Sequence, residues 1–186
     1  MIRILFIILA ALITAVVIHI VTIFSIPYNS VNDIWHKSVQ LGPVHKIFTI
    51  RNPKDAVNLS SDLDPLFAYG ICRAEVADTP IGLKGQLPTD FWSLDYVDSL
   101  GRSQFSLTNQ TSGPRVNIVL ASRGQQRLLA ERPDLIDDTS IVISATEDRG
   151  LLVLRAFVAS ERKRDMIADA ISQLSCSPLW DAESFE

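Results

Sequence analysis

No histidine follows residue 45. The three that exist are His19, inside a long apolar run, and His36 and His45 just beyond it. A Ser-His-Asp or Cys-His site in the body of the chain would have to borrow His45, which argues against that kind of nucleophilic catalysis. Cysteine is equally scarce: Cys72 and Cys176 are the only two, and no His-x-x-x-His pair accompanies them. That excludes the clustered ligand spacing of a zinc site, so no metal is expected. The eight glycines are scattered, with Gly42, Gly101, Gly113 and Gly150 reading as turn residues. No phosphate loop is formed from them, and no cofactor is implied. Acidic residues outnumber basic ones by 21 to 17. Without a basic stripe to track a phosphate backbone, nucleic acid is not an expected partner.

What the chain does have is one uninterrupted apolar stretch. Residues 4–26, ILFIILAALITAVVIHIVTIFSI, contain no Asp, Glu, Lys or Arg. At about 1.5 Å per residue this is long enough to cross a bilayer as a helix, with some tilt. Pro27 is expected to end it, because proline lacks the main-chain donor that continues a helix. A cleaved signal peptide is the competing reading. Its apolar run is shorter, about 7–15 residues, and Phe24-Ser25-Ile26-Pro27 is a poor cleavage site, so a retained signal-anchor is expected. Arg3 and the short head favour a cytoplasmic start with the rest exported, although Lys37 and Lys46 sit near the other end. His19 is an ionisable group at membrane depth and thereby a candidate for a role, while a neutral imidazole near the interface is tolerable without one. Ala10, Ala11, Thr14 and Ala15 form a small-residue face that would suit packing in a larger membrane complex.

Residues 27–43 read as a juxtamembrane linker holding a short helix. Ser30 would cap it, Val31, Ile34, Trp35 and Val39 recur at helical spacing, and Gly42-Pro43 would end it. Tyr28 and Trp35 suit either the headgroup layer or the surface of the domain. Residues 44–176 change texture to short runs of period two separated by turn residues. Val44–Ile50, Leu66–Val76, Ile81–Leu87, Phe91–Val97, Gln104–Asn109, Val116–Ala121, Ser140–Ala145 and Leu151–Ala159 are the expected strands. In the second, Leu66, Ala68, Gly70, Cys72, Ala74 and Val76 share one face and Phe67, Tyr69, Ile71, Arg73 and Glu75 the other. Asp98–Arg102 reads as a hairpin loop with Gly101 in the left-handed conformation. Ser122 with Gln125 forms a capping box ahead of a helix that Pro133 closes. A last helix, near residues 161–175, carries the apolar stripe Ile167, Ala170, Ile171 and Leu174. Residues 177–186 read as a frayed acidic tail. The fold class is therefore α+β: an N-terminal transmembrane helix, then a mainly antiparallel β-rich domain with a packed C-terminal helix.

Pro88–Asn109, PTDFWSLDYVDSLGRSQFSLTN, resembles the paired domains of unknown function 1254 and 1214. There a proline-ended strand leads to an aromatic-Trp/Tyr-Ser-Leu strand and an Asp-x-x-Gly hairpin. Asp64–Ala77 is similar to the preceding strand of those domains, and Ser144–Gln173 to their closing strand and helix, with Arg155 in the place of a frequent arginine. The chain resembles a minimal, membrane-anchored version of one module, of alphaproteobacterial type. The resemblance implies a β-rich fold and a bacterial envelope setting. It implies no reaction, since none is established for the family, and no catalytic residue carries over.

Acidic pairs, Asp62 with Asp64, Asp95 with Asp98 and Asp137 with Asp138, would serve a sugar hydrolase if two carboxylates faced one cleft about 5–10 Å apart; solvated turns and helix ends account for them equally. Tyr69, Arg73, Trp92, Tyr96 and Arg155 form the candidate ligand-binding set. Aromatics beside a fixed guanidinium can recognise a glycan, a peptide or an anionic headgroup, while core packing and an ion pair with a neighbour such as Glu75 are the plainer reading. Cys72 and Cys176 are expected to form a disulfide in an oxidising compartment. Together these observations predict a non-catalytic binding module of the bacterial inner membrane. Residues 4–26 would meet the lipid bilayer, with the domain in the periplasm and an envelope protein or glycan as partner. A carboxylate-dependent hydrolase and an accessory subunit of a membrane complex are the alternatives.

Overall fold

The computed structural model describes residues 2–30, 32–53, 63–99 and 101–180. The chain divides into two units, Met1–Asp33 and Ile34–Glu186. The first is built on helix α1, Ile2–Ser30. Its stretch Ile2–Ser25, in which an 18-residue window reaches a mean hydropathy of 3.1, is long and apolar enough to cross a membrane. The hydroxyls of Thr14 and Thr22 donate to the carbonyls of Ala10 and Ile18, at 2.9 and 2.8 Å, so these polar groups are satisfied within the helix itself. Pro27 does not end the helix, which continues to Ser30. A proline removes a single main-chain donor, and the remaining bonds carry the helix through. Ser30 consequently belongs to α1 instead of standing ahead of the short helix α2, Asn32–Val39, as its cap; Val31 is outside the described residues.

The second unit is a two-sheet structure. Its strands are β1 (Ile47–Ile50), β2 (Phe67–Glu75), β3 (Ile81–Gln86), β4 (Trp92–Asp98) and β5 (Ser103–Thr108). A single helical turn α3 (Asn109–Ser112) comes next, then β6 (Arg115–Ala121), α4 (Arg123–Glu131), β7 (Ile141–Ser144), β8 (Arg149–Phe157), α5 (Arg164–Ser172) and β9 (Ser175–Pro178). One sheet has the order β1-β2-β8-β4-β5, the other β7-β6-β3-β9. Every pairing is antiparallel except β6 with β7, which are parallel and joined through α4. The α+β class read from the sequence is the observed one.

The core lies between the sheets, where alternate residues of each strand meet. Ala68, Cys72 and Ala74 of β2, Trp92, Leu94 and Tyr96 of β4, and Leu152 and Leu154 of β8 face Leu83, Ile118 and Leu120 of the second sheet in one cluster. Helix α4 begins with the expected capping box: the Ser122 hydroxyl accepts from the Gln125 N–H while the Gln125 side chain accepts from the Ser122 N–H. Helix α5 adds Ile167 and Ile171 to the core, and Leu174, just beyond its end, joins them. The helix comes so close to β2 that a Cβ at position 70 would stand 2.6 Å from Ile171 Cγ2, so any larger residue there must displace the Ile171 side chain. Gly101 has φ +76°, the left-handed conformation expected of the β4–β5 loop.

The Cys72–Cys176 disulfide is present, with Cα atoms 6.5 Å apart, and it joins β2 of one sheet to β9 of the other. Strand β9 is not anticipated by the sequence reading: of the expected tail 177–186, residues 177 and 178 belong to β9, and residues 181–186 lie outside the described residues. Ser177 pairs with Gly82, and the Leu179 N–H donates to Pro80 O at 2.9 Å. Strand β3 offers an unpaired row of main-chain groups to β9, and the cystine holds β9 against it.

Candidate binding face

The period-two alternation that turns small residues of β2 inward turns Phe67, Tyr69, Ile71, Arg73 and Glu75 outward. Registry then decides what joins them. Tyr69 stands opposite Arg155 on β8, Arg73 opposite Leu151, and Glu75 opposite Arg149. Arg155 in turn stands opposite Ser93 on β4, and Asp95 opposite Ser106 on β5. Of the five candidate residues, Tyr69, Arg73 and Arg155 therefore share the outer face of the five-stranded sheet. Trp92 and Tyr96 do not join them. Both belong to the inward set of β4 and are fully buried, at 0% exposure, among core residues. Alternation told which residues share a face; it did not tell which face of β4 points inward. Burial pushes the Tyr96 hydroxyl up to about 12, reinforced by the carboxylates of Asp98 and Glu147.

The outer face has two ends. At one, Arg155 donates from Nε to Ser93 Oγ at 3.1 Å and from a terminal nitrogen to Asp95 Oδ2 at 2.8 Å. Asp95 also accepts from Ser106 Oγ at 2.6 Å. Beside this row Phe67 meets Phe91 and Phe157 edge to face, with ring centres 6.4 and 5.8 Å apart. The Tyr69 hydroxyl is held at Asp64, 2.9 Å from its N–H and 3.3 Å from its carbonyl; burial raises its pKa. Glu75, the neighbour expected to pair an internal arginine, is bound instead by Arg149 Nε at 2.8 Å.

At the other end, residues 41–46 form a strap across β2. Arg73 is 9% exposed, its guanidinium lies 4.4 Å over the ring of Trp35, and it donates to Gly42 O at 2.9 Å. The His45 N–H donates to Arg73 O at 2.8 Å, and His45 Nε2 stands 2.9 Å from Glu75 O. His45 adopts φ +60°, a left-handed conformation that few non-glycine residues take, to make this contact. Trp35 thus packs on the domain, the second of its two expected settings. Between strap and sheet is a cleft of about 140 Å³ lined by Leu41, Gly42, Lys46, Phe48, Ile71 and Arg73 among others. Trp35, Gly42 and Lys46 were missed as site residues. The signal available was a tryptophan and a lysine bracketing a Gly-Pro turn.

Among the described residues, Asp95 and Asp98 are not brought to one face as a hydrolase would require. Asp95 faces outward, whereas Asp98 is fully buried and accepts from the Arg102 N–H at 2.9 Å, Arg102 Nε at 2.8 Å and Gln104 Nε2 at 2.6 Å. Asp64 caps a turn by accepting from the Leu66 N–H, and Asp137 pairs with Lys84 at 2.8 Å. Asp62 lies outside the described residues. Among the described residues no group of His, Cys, Asp or Glu could hold a metal ion.

No family model matches this chain, and no curated protein does. Solved structures do. The VPA0106 protein from Vibrio parahaemolyticus superposes with a TM-score of 0.61 at 14% identity, over 81% of this chain and 34% of that one. An uncharacterised protein from Burkholderia cenocepacia gives a TM-score of 0.46 at 16% identity, over 63% and 32%. The first likeness shows a shared fold. The chain spans about a third of the length of either protein.

Proposed function

We propose that this chain is a single-pass protein of the bacterial inner membrane whose domain lies in the periplasm and serves as a binding module, not a catalyst. The observation that carries the reading is the union of two features in one chain: an apolar helix of spanning length and a cystine joining the two sheets. Disulfides persist in oxidising compartments, and Arg3 ahead of the apolar run favours a cytoplasmic side for that end of the helix, with the domain on the other. The outer face supplies the surface for a ligand: guanidinium groups flanked by aromatic rings, with Ser and Asp hydroxyl and carboxylate groups beside them. The hydrolase alternative has less support, because Asp95 and Asp98 occupy opposite faces of β4. The Pro88–Asn109 hairpin supports placing the chain with the domains of unknown function 1254 and 1214.

Protease added to intact spheroplasts tests the topology. Digestion of residues beyond 27 with survival of the anchor is expected; complete protection until lysis would reverse the orientation. Intact-mass measurement of the exported protein after alkylation should show two blocked thiols only after reduction.

A further inference from the structure

A buried cation is costly unless something compensates it. Arg73 has a carbonyl, Gly42 O, and the face of Trp35. Its Nε is buried without a hydrogen-bond partner. The nearest carboxylate, Glu75, is held by Arg149, and the Arg149 guanidinium lies 6.0 Å from the same tryptophan ring, adding positive charge. The cleft that Arg73 lines contains a second cation, the exposed Lys46, and no carboxylate. Burial lowers the Arg73 pKa, with Glu75 opposing and Arg149 adding to the effect, which is the direction expected of a guanidinium short of negative charge.

We infer that the cleft between the 41–46 strap and β2 binds a phosphate group, with Arg73 as its inner cation and Lys46 at its mouth. Guanidinium groups favour phosphate oxygens because their planar donors match the oxygens in pairs. A volume of about 140 Å³ exceeds the share of several waters, at about 30 Å³ each, so one such group fits. The remaining walls are apolar, Leu41, Phe48 and Ile71, and Phe48 is exposed. That combination suits the phosphate of a lipid, whose glycerol and acyl carbons would lie on Phe48. The strap also comes soon after the apolar helix along the chain. The phosphate chemistry stands on the cleft alone; only its assignment to lipid rests on the proposed membrane anchoring.

The test is native mass spectrometry of the full chain released from micelles containing phosphatidylcholine, with or without phosphatidylglycerol. The wild type is expected to retain one phosphatidylglycerol. Arg73→Met should reduce retention about tenfold, the effect of losing a charge-assisted hydrogen bond, and Lys46→Glu several-fold, while Lys84→Glu, away from the cleft, should leave it unchanged. Because Lys46 is exposed, its variant keeps the test decisive if Arg73→Met fails to fold. Adducts of inorganic phosphate that disappear in Lys46→Glu, without lipid retention, would support the site and assign it to free phosphate. Equal retention of both lipids by all three variants, with no phosphate adduct, would overturn the inference. Neither result depends on the spheroplast experiment, so the site and the topology can fail separately.

Discussion

Along β2, Ala68, Gly70, Cys72 and Ala74 face the core and helix α5 while Tyr69, Ile71 and Arg73 face away, and the two sides are closed by different means. Small side chains on the inner side let other elements come very near: the Ile171 side chain sits over Gly70, and Cys176 reaches Cys72. Large side chains on the outer side leave space beneath anything laid across them. The strap and Trp35 fill part of that space and leave a cleft with a lone guanidinium. The inner side is saturated with contacts, so its chemistry is spent on stability. The outer side retains donors and rings that its own cover does not use, which is where a ligand gains most.

The comparison can be broken from the inner side first. Cys176→Ser should destabilise the domain by about 4–5 kcal/mol, the chain-entropy estimate for a loop of this length, read as a lower urea midpoint of the full chain in detergent. A loss below about 1 kcal/mol would mean that packing alone closes the sheets. Gly70→Val should cost about 3 kcal/mol through collision with Ile171. Adding Ile171→Ala should recover part of that loss, since the two positions share one contact.

Asp98 sharpens the picture through pH. Burial alone would raise its carboxyl, but the Arg102 N–H, the Arg102 guanidinium and the Gln104 amide together hold it below the usual carboxylate range. Because the folded value lies below the unfolded one, the stabilisation is fully present above about pH 4 and is lost as pH falls through the folded value. Asp98→Asn should cost about 2 kcal/mol at neutral pH. The gap between its urea midpoint and that of the wild type should close on acidification below about pH 4; a gap that stayed constant under further acidification would remove the electrostatic account. The smallest effect is expected on the outer side. Arg73→Met should change stability by less than about 1 kcal/mol, because an apolar replacement of similar length relieves a buried charge. A loss of several kcal/mol would make Arg73 a structural residue and not a ligand-binding one.

Much of this fold was legible because it rests on local chemistry. The alternation in Leu66–Val76, the Ser122–Gln125 capping box and the left-handed Gly101 are fixed by residues within a few positions of one another. What escaped was set by distant partners. Ser175-Cys176-Ser177-Pro178 has little intrinsic tendency to form a strand, and becomes one because β3 has a free edge and Cys72 a free sulfur nearby. The candidate site was half legible for the same reason. Tyr69, Arg73 and Arg155 share a face, but the polar row Ser93, Arg155, Asp95 and Ser106 exists only once three strands are in register. Trp92 and Tyr96 carried the residue types of a binding site and the positions of a core.

The cystine between β2 and β9 also orders events during biogenesis. Its two sulfurs are separated by 104 residues, so Cys72 stays a thiol until residue 176 has been synthesised and can reach it. Until residue 176 arrives, β3 is paired on its β6 side only, and the two sheets are joined by packing without the cystine. A chain cut short before that point keeps a free thiol at Cys72 and an open edge on β3, and an open edge is a template for pairing with another chain.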